Sequence, residues 1–167
     1  MILTKICMLG PFAVGKTSLA TRFTESIFSD LYQSTVGVRI HKKLIKLDDV
    51  EVKIVVWDLA GEDELVKLRV AYLRGSSGYV LVVDATRRET IQVALRLRAT
   101  AEEAIGAVPC ILAVNKLDLV DEATARAIQE ELEGKGLDIC WTSAKTGRGV
   151  EEAFQALARK MTRGVRA

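Results

Sequence analysis

The chain has 167 residues, which is enough for one domain with a sizeable hydrophobic core. Its formal charge of +2 at pH 7 is too small to favour nucleic acid or an acidic membrane surface as a partner. No stretch approaches the roughly 18 apolar residues that a membrane span needs, and the first residues have neither a signal-peptide layout nor a Met-Gly myristoylation site.

Cysteine placement indicates a reducing compartment. Cys7, Cys110 and Cys140 all lie in apolar runs, without the spacing of metal ligands, and are interpreted as reduced core residues. Because no cysteine follows Cys140, we expect no prenyl anchor within this chain. The sequence therefore predicts a cytoplasmic protein.

Apolar runs alternate with helical patterns along the chain, which predicts an α/β fold. Strands are predicted at residues 5–9, 39–47, 51–58, 79–83, 110–114 and 137–141. Helices are predicted at residues 15–26, 62–73 (a mobile one), 89–105, 122–135 and 150–161. Turn residues Asp48 and Asp49 make the second and third strands an antiparallel hairpin. The expected architecture is a single domain over residues 1–167 with a doubly wound, six-stranded, mostly parallel sheet that has one antiparallel strand.

The first strand leads into residues 10–17, GPFAVGKT, which match the pattern G-x-x-x-x-G-K-[ST] in full. A strand before this pattern and a helix after it are the setting of a phosphate-binding loop. Its glycines let backbone N–H groups surround an anion, and the helix adds the positive end of its dipole. We therefore expect Lys16 to reach the β- and γ-phosphates and the Thr17 hydroxyl to bind Mg²⁺. The alternative is an ordinary turn that matches by accident.

The third predicted strand ends in Asp58, the first residue of a D-x-x-G pattern. Its carboxylate is placed to hold Mg²⁺, usually through a water molecule, and Gly61 can bring a backbone N–H to a terminal phosphate. Taken alone, this short pattern would be interpreted as a turn. Its position one strand end away from the phosphate loop favours the metal site.

Residues 115–118 (NKLD) and 143–145 (SAK) follow the fifth and sixth strands and predict a site that selects the base. The Asp118 carboxylate can accept two N–H donors from one edge of guanine, whereas adenine would leave it unpaired. Asn115 and Lys116 would brace the loop and cover the ring, and the Ala144 N–H would bind guanine O6. The alternative is a surface loop followed by a helix cap.

These motifs, together with Thr35, resemble in type and order those of the Ras superfamily of small GTPases, and the resemblance covers essentially the whole chain. Residues 34–38 (STVGV), 57–61 (WDLAG) and 72–75 (YLRG) are similar to the Rab branch. The resemblance implies a P-loop NTPase G domain that binds GTP and GDP with Mg²⁺ and hydrolyses GTP slowly. Segments near 30–40 and 61–74 would act as switches that bind effectors and exchange or activating factors. A monomer that does not bind nucleic acid is expected.

The resemblance also implies individual roles. Phe28 would pack edge-on against guanine, Tyr32 would fold over the phosphates, and Thr35 would bind Mg²⁺ and the γ-phosphate only with GTP. Catalysis is expected from Lys16, Thr35, Gly61 and Glu62, and metal binding from Thr17, Thr35 and Asp58. The expected nucleotide-binding residues are Phe12, Ala13, Val14, Gly15, Lys16, Thr17, Ser18, Phe28, Tyr32, Thr35, Gly61, Asn115, Lys116, Asp118, Leu119, Ser143, Ala144 and Lys145.

Three features depart from the family pattern. Glu62 replaces the glutamine that orients the attacking water, so slow hydrolysis is expected. Phe12 replaces a small residue and lies where an activator's arginine would enter. The lipid anchor of typical Rab proteins is not expected within this chain, which suits an unanchored or prokaryotic relative. Glu62 and Phe12 leave open an alternative function, a hydrolysis-deficient scaffold that binds GTP or GDP, whereas the NKLD motif argues against an ATPase or kinase.

Several other residues are interpreted without a function. His41 is expected to be a solvated hairpin residue with no catalytic role, and Trp141 to be part of the core. Four arginines near one helix are interpreted as a solvated face, with a partner surface as the alternative; they are Arg87, Arg88, Arg96 and Arg98.

Overall fold

A six-stranded sheet runs through the residues that the computed structural model describes, which are 1–25, 38–59 and 70–163. Its strands are β1 (Ile2–Leu9), β2 (Val38–Leu47), β3 (Val50–Leu59), β4 (Gly78–Asp84), β5 (Cys110–Asn115) and β6 (Ile139–Trp141). They lie in the order β2-β3-β1-β4-β5-β6, and only the β2–β3 pairing among them is antiparallel. The predicted fold class is confirmed.

Helices cover both faces of this sheet. They are α1 (Lys16–Glu25), α2 (Val70–Leu73), α3 (Glu89–Ile105), α4 (Glu122–Leu132) and α5 (Val150–Arg163). Successive strand residues point to opposite faces. In β1, Ile6 and Met8 therefore pack in the core under α1 and α5, whereas Cys7 and Leu9 pack in the core under α3 and α4. Burial on both faces explains why the central strands are continuous apolar runs.

The largest differences from the predicted elements occur in two strands, β1 and β6, and in two helices. β1 begins at Ile2 rather than at residue 5, because Ile2 already pairs with Val52 of β3. β6 covers only Ile139–Trp141, and α4 ends at Leu132, shortly before Gly134, which has a φ of 74°. Of the helix predicted at 62–73, only Val70–Leu73 lies within the described residues.

The environment of His41 contradicts the prediction made from the sequence. It is 7% exposed, on the same face of β2 as the buried Ile45, and its Nδ1 lies 3.5 Å from Thr24 Oγ1 of α1. Burial lowers the pKa of the imidazole, an effect that the nearby Asp58 opposes. The expectation of a solvated residue is wrong because α1 covers this face of the hairpin, a long-range contact that the local sequence does not encode.

The parallel strands bring the chemistry-bearing loops to one edge. β1, β3, β4, β5 and β6 all end there, so the segments that follow them are neighbours in space. Ligands of such sheets bind beyond the carboxyl ends of the strands. Among the described helices, none is both long and apolar enough to cross a membrane.

The contact between α1 and α5 gives a test of the packing. The rings of Phe23 and Phe154 are stacked with centroids 4.0 Å apart, and both side chains are almost fully buried. Phe154→Ala should lower the free energy of unfolding by about 3–5 kcal/mol, because it leaves a cavity between two helices and the sheet. Leu44→Ala, at a site that is 55% exposed, should change it by no more than about 0.5 kcal/mol. Urea denaturation measures both values, and equal losses would contradict this packing.

Candidate nucleotide-binding site

The phosphate loop, residues 10–17, joins β1 to α1 and has an unusual backbone. Ala13 has a φ of 59° and Gly15 a φ of 102°, so both lie in the left-handed region. At Gly15 the lack of a side chain is required for a second reason. A Cβ there would lie 2.3 Å from Nδ2 of Asn115, whose side chain packs directly against the loop.

Three consecutive carbonyls of the phosphate loop accept hydrogen bonds from side chains at or just after the ends of other strands. The bonds run from Arg87 Nη2 to Phe12 O at 2.8 Å, from Lys116 Nζ to Ala13 O at 2.9 Å, and from Asn115 Nδ2 to Val14 O at 3.0 Å. In a planar trans peptide the N–H points away from the carbonyl oxygen. These three bonds therefore turn the next three backbone N–H groups toward the opposite side, which gives a row of donors for an anion.

Lys16 is the buried cation of the loop. Its side chain is 6% exposed, and Nζ donates to the carbonyls of Gly10 and Pro11, both at 2.9 Å. Burial lowers the pKa of Lys16 to about 8; Asp58 opposes this shift and Arg87 adds a smaller decrease. A phosphate bound nearby would stabilise the charged form of Lys16. This agrees with the expectation that Lys16 contacts the phosphates.

Thr17 and Asp58 form a pair of oxygen groups suited to Mg²⁺. The Thr17 hydroxyl donates to Asp58 Oδ2 at 2.5 Å, and a hydroxyl oxygen can also act as a metal ligand. Asp58 is fully buried, and among the described residues no donor reaches its Oδ1. Burial raises the pKa of Asp58, against hydrogen bonding by Thr17 and the charge of Lys16. A buried carboxylate with an unpaired oxygen and an adjacent hydroxyl fits the hard oxygen ligands of Mg²⁺.

The loop after β5 and the loop after β6 are joined by side-chain contacts. Asn115 Oδ1 accepts from Thr142 Oγ1 at 3.1 Å and from the Ala144 N–H at 3.2 Å. Ser143 Oγ donates to Asp118 Oδ1 at 2.7 Å, while the Asp118 residue as a whole is exposed. The role predicted for the Ala144 N–H, binding guanine O6, would require this amide to share or exchange its bond with Asn115.

Asp84, at the end of β4, is a residue that the sequence analysis missed. Its side chain is 1% exposed, and Oδ2 lies 2.8 Å from Lys116 Nζ and 3.1 Å from Arg87 Nε. Oδ1 accepts from the backbone and hydroxyl of Thr86. Burial alone would raise the pKa of Asp84, but the hydrogen bonds from Lys116, Thr86 and Arg87 outweigh it and lower the pKa. The sequence could have indicated Asp84 as a site residue, because it directly follows a predicted parallel strand at the same edge of the sheet as the other site residues.

The arginine cluster is not one solvated face. Arg87 contacts the phosphate loop, whereas Arg88 Nε pairs with Glu131 of α4 at 2.9 Å and Arg98 Nε with Glu102 at 2.9 Å. The interpretation of these residues as a uniform solvated surface is therefore wrong for Arg87.

The other predicted residues differ in placement. Phe12 and Leu119 are 45% and 62% exposed, Lys145 is exposed, and Ser18 is half-buried at the start of α1. Five predicted site residues lie outside the described ranges: Phe28, Tyr32, Thr35, Gly61 and Glu62. Within the described ranges, no group of three or more His, Cys, Asp and Glu side chains could hold a metal. Within those ranges the candidate metal ligands are the hydroxyl of Thr17 and the carboxylate of Asp58.

Comparison with known proteins agrees with this arrangement. A sequence model of the Ras family matches residues 5–163. The chain is 33% identical over 162 residues to the Ras-related protein Rab-13 of Mesocricetus auratus, an alignment that covers 94% of this chain and 79% of that protein. It is 34% identical over 163 residues to human Ras-related protein Rab-8B, with 94% and 77% covered. For Ras-related protein Rab-1 of Theileria annulata the identity is 32%, with 95% and 74% covered.

The family match spans every strand end described above, from the phosphate loop to the loop after β6. The chain therefore belongs to the Ras family of GTP-binding switch GTPases and is similar within it to the Rab branch.

Proposed function

We propose that residues 1–167 form one G domain that binds GTP and GDP with Mg²⁺, hydrolyses GTP slowly and acts as a monomeric molecular switch. The observation that carries this proposal is the position of Asn115, whose side chain bonds to the phosphate loop at Val14 and to the SAK loop at Ala144. A site built this way suits a ligand that has phosphates at one end and a base at the other.

Phosphate binding rests on the backbone amides of the loop and on Lys16. The amides are directed by the three bonded carbonyls, and Lys16 is already held at the loop by Gly10 and Pro11. Donors fixed before the reaction need not reorganise as charge develops on the transferring phosphoryl group. Catalysis then comes from positioning and electrostatics, with Gly61 N–H and Thr35 as further contributors proposed from the sequence.

Mg²⁺ would be held by Thr17 and Asp58, joined by Thr35 when GTP is bound. Support comes from the hydrogen bond between Thr17 and Asp58 and from the buried Asp58 Oδ1, which no donor among the described residues reaches. When bound, the ion supplies positive charge at the β- and γ-phosphate oxygens. Thr17 lies on a regular helix and is expected to bind Mg²⁺ with both GDP and GTP.

Guanine selectivity is assigned to Asp118. The Ser143 hydroxyl orients its carboxylate by donating to Oδ1, and Thr146 N–H in turn donates to Ser143 Oγ at 3.1 Å. A fixed carboxylate can accept from two N–H groups on one edge of guanine. Phe28, Leu119 and Lys145 are proposed to contact the nucleotide around this base site.

Partners are proposed to bind through the switches near 30–40 and 61–74. Three apolar side chains lie close together where the structure describes the borders of these switches. Ile40 is 49% exposed and pairs with Trp57 in the β2–β3 ladder, and the Trp57 ring lies 6.1 Å from that of Tyr72. An exposed Ile40 next to two half-buried aromatic rings supports contact with a protein partner. Effectors and exchange or activating factors are the proposed partners.

The base assignment is tested by Asp118→Asn. This change replaces one carboxylate oxygen by a donor, so GTP should bind at least about tenfold more weakly, and xanthosine triphosphate, which offers an acceptor, should bind better. Asp121→Asn is the matched control. It makes the same change at the exposed cap of α4, where Asn caps as well as Asp. Displacement of fluorescent GDP measures the affinities of each variant for GTP and for xanthosine triphosphate. Equal affinities of the wild-type protein for ATP and GTP would contradict the assignment.

The slow hydrolysis is tested by Glu62→Gln, with Phe12 unchanged. A glutamine amide can accept from the attacking water and donate to a phosphate oxygen, whereas an ionised glutamate only accepts and is repelled by the phosphates. We expect wild-type hydrolysis no faster than the roughly 3–5 × 10⁻⁴ s⁻¹ of an unassisted Ras enzyme, and a faster rate for the variant. Single-turnover assays measure both rates.

The control for that experiment is Glu133→Gln, the same charge change on the exposed end of α4. It should leave hydrolysis unchanged. A slower Glu62→Gln enzyme would show that Glu62 is itself catalytic and would overturn this part of the proposal. A wild-type protein that binds GTP without any hydrolysis would instead support the scaffold function.

A further inference from the structure

We propose that Arg87 is a positioning residue for phosphate binding, which holds the peptide between Phe12 and Ala13 so that the Ala13 N–H faces the β-phosphate. The proposal rests on the function proposed above and adds a residue that the motifs do not contain. It is carried by the contacts of the guanidinium with Phe12 O and with the Asp84 carboxylate.

The Arg87 side chain is attached at two points. Nε donates to Asp84 Oδ2 at 3.1 Å, and Nη2 donates to Phe12 O at 2.8 Å. Because the guanidinium is planar and rigid, fixing Nε against a buried carboxylate also fixes the direction of the second donor. The carbonyl of Phe12 is therefore held in one orientation rather than simply solvated.

The backbone of Arg87 is equally restrained. Its N–H donates to Asp84 O at 2.9 Å, and its carbonyl accepts from the Thr90 hydroxyl at 2.6 Å and the Thr90 N–H at 3.1 Å. Thr90 is 1% exposed at the start of α3. The donor that reaches the phosphate loop thus projects from a rigid turn between β4 and α3.

The backbone conformation of Ala13 explains why the phosphate loop depends on contacts with Arg87. Ala13 has a side chain and lies in the left-handed region, a backbone conformation that is unfavourable for residues other than glycine. Such a conformation persists only where surrounding contacts fix it. Arg87 holds the carbonyl on the N-terminal side of Ala13 and Lys116 holds the one on its C-terminal side, and both cations pair with Asp84.

The experiment compares GDP with GMP, which lacks the β-phosphate. Affinities are measured by displacement of fluorescent GDP from the wild-type protein, Arg87→Ala, Arg87→Lys and Arg88→Ala. Arg87→Ala should reduce the preference for GDP over GMP about tenfold, which corresponds to about 1.4 kcal/mol. Arg88→Ala removes the same charge one residue away, where the partner is Glu131, and should change that preference less than about twofold.

Arg87→Lys keeps the charge without the planar fork, so its loss should lie between those of the two alanine variants. It also carries the test if Arg87→Ala does not fold. A general loss of structure in Arg87→Ala would weaken the binding of GDP and GMP equally. That result, or an Arg87→Ala protein with the same preference for GDP as Arg88→Ala, would overturn this inference but not the proposed function. A wild-type protein that binds neither nucleotide would overturn the proposed function and this inference together.

Discussion

The hydrogen bonds of the Asn115 side chain are the constraint on which the site depends. Its amide nitrogen donates to the phosphate loop, and its amide oxygen accepts from the two residues that flank Ser143 after β6. Asn115 is 2% exposed, and the contact is close enough that only glycine fits at position 15. A buried amide with its donor and acceptor both engaged has one stable orientation. The phosphate end and the base end of the site are therefore held at one spacing by the sheet.

The cations along this edge of the sheet differ in how they are paired. Lys116 and Arg87 share the single negative charge of Asp84, and both also donate hydrogen bonds to the phosphate loop. Lys16 is held by carbonyls, which satisfy its hydrogen bonds without neutralising its charge. Burial of such a group is unfavourable until an anion arrives. The phosphate loop is in this sense complementary to a phosphate group.

Sequence patterns predicted the fold and the motif-bearing strand ends because both are local: apolar runs mark the strands, and the motifs follow them directly. What they missed are contacts between distant segments. Asp84 and Arg87 belong to no motif, and their role follows from β4 lying beside β1 and β5. His41 looked solvated beside two lysines, yet α1 covers it. The parts of the switch predictions that fall on residues 26–37 and 60–69 lie outside the described ranges and stay predictions.

The most direct measurement is the identity of the nucleotide that the purified protein carries. The protein is denatured, its small molecules are separated by chromatography, and the native protein is loaded in parallel with GDP or ADP in the presence of Mg²⁺. We expect GDP or GTP at about one molecule per chain, and loading by GDP but not by ADP. A bound adenine nucleotide, or failure of GDP to load an empty protein, would contradict a guanine-nucleotide site at this edge of the sheet.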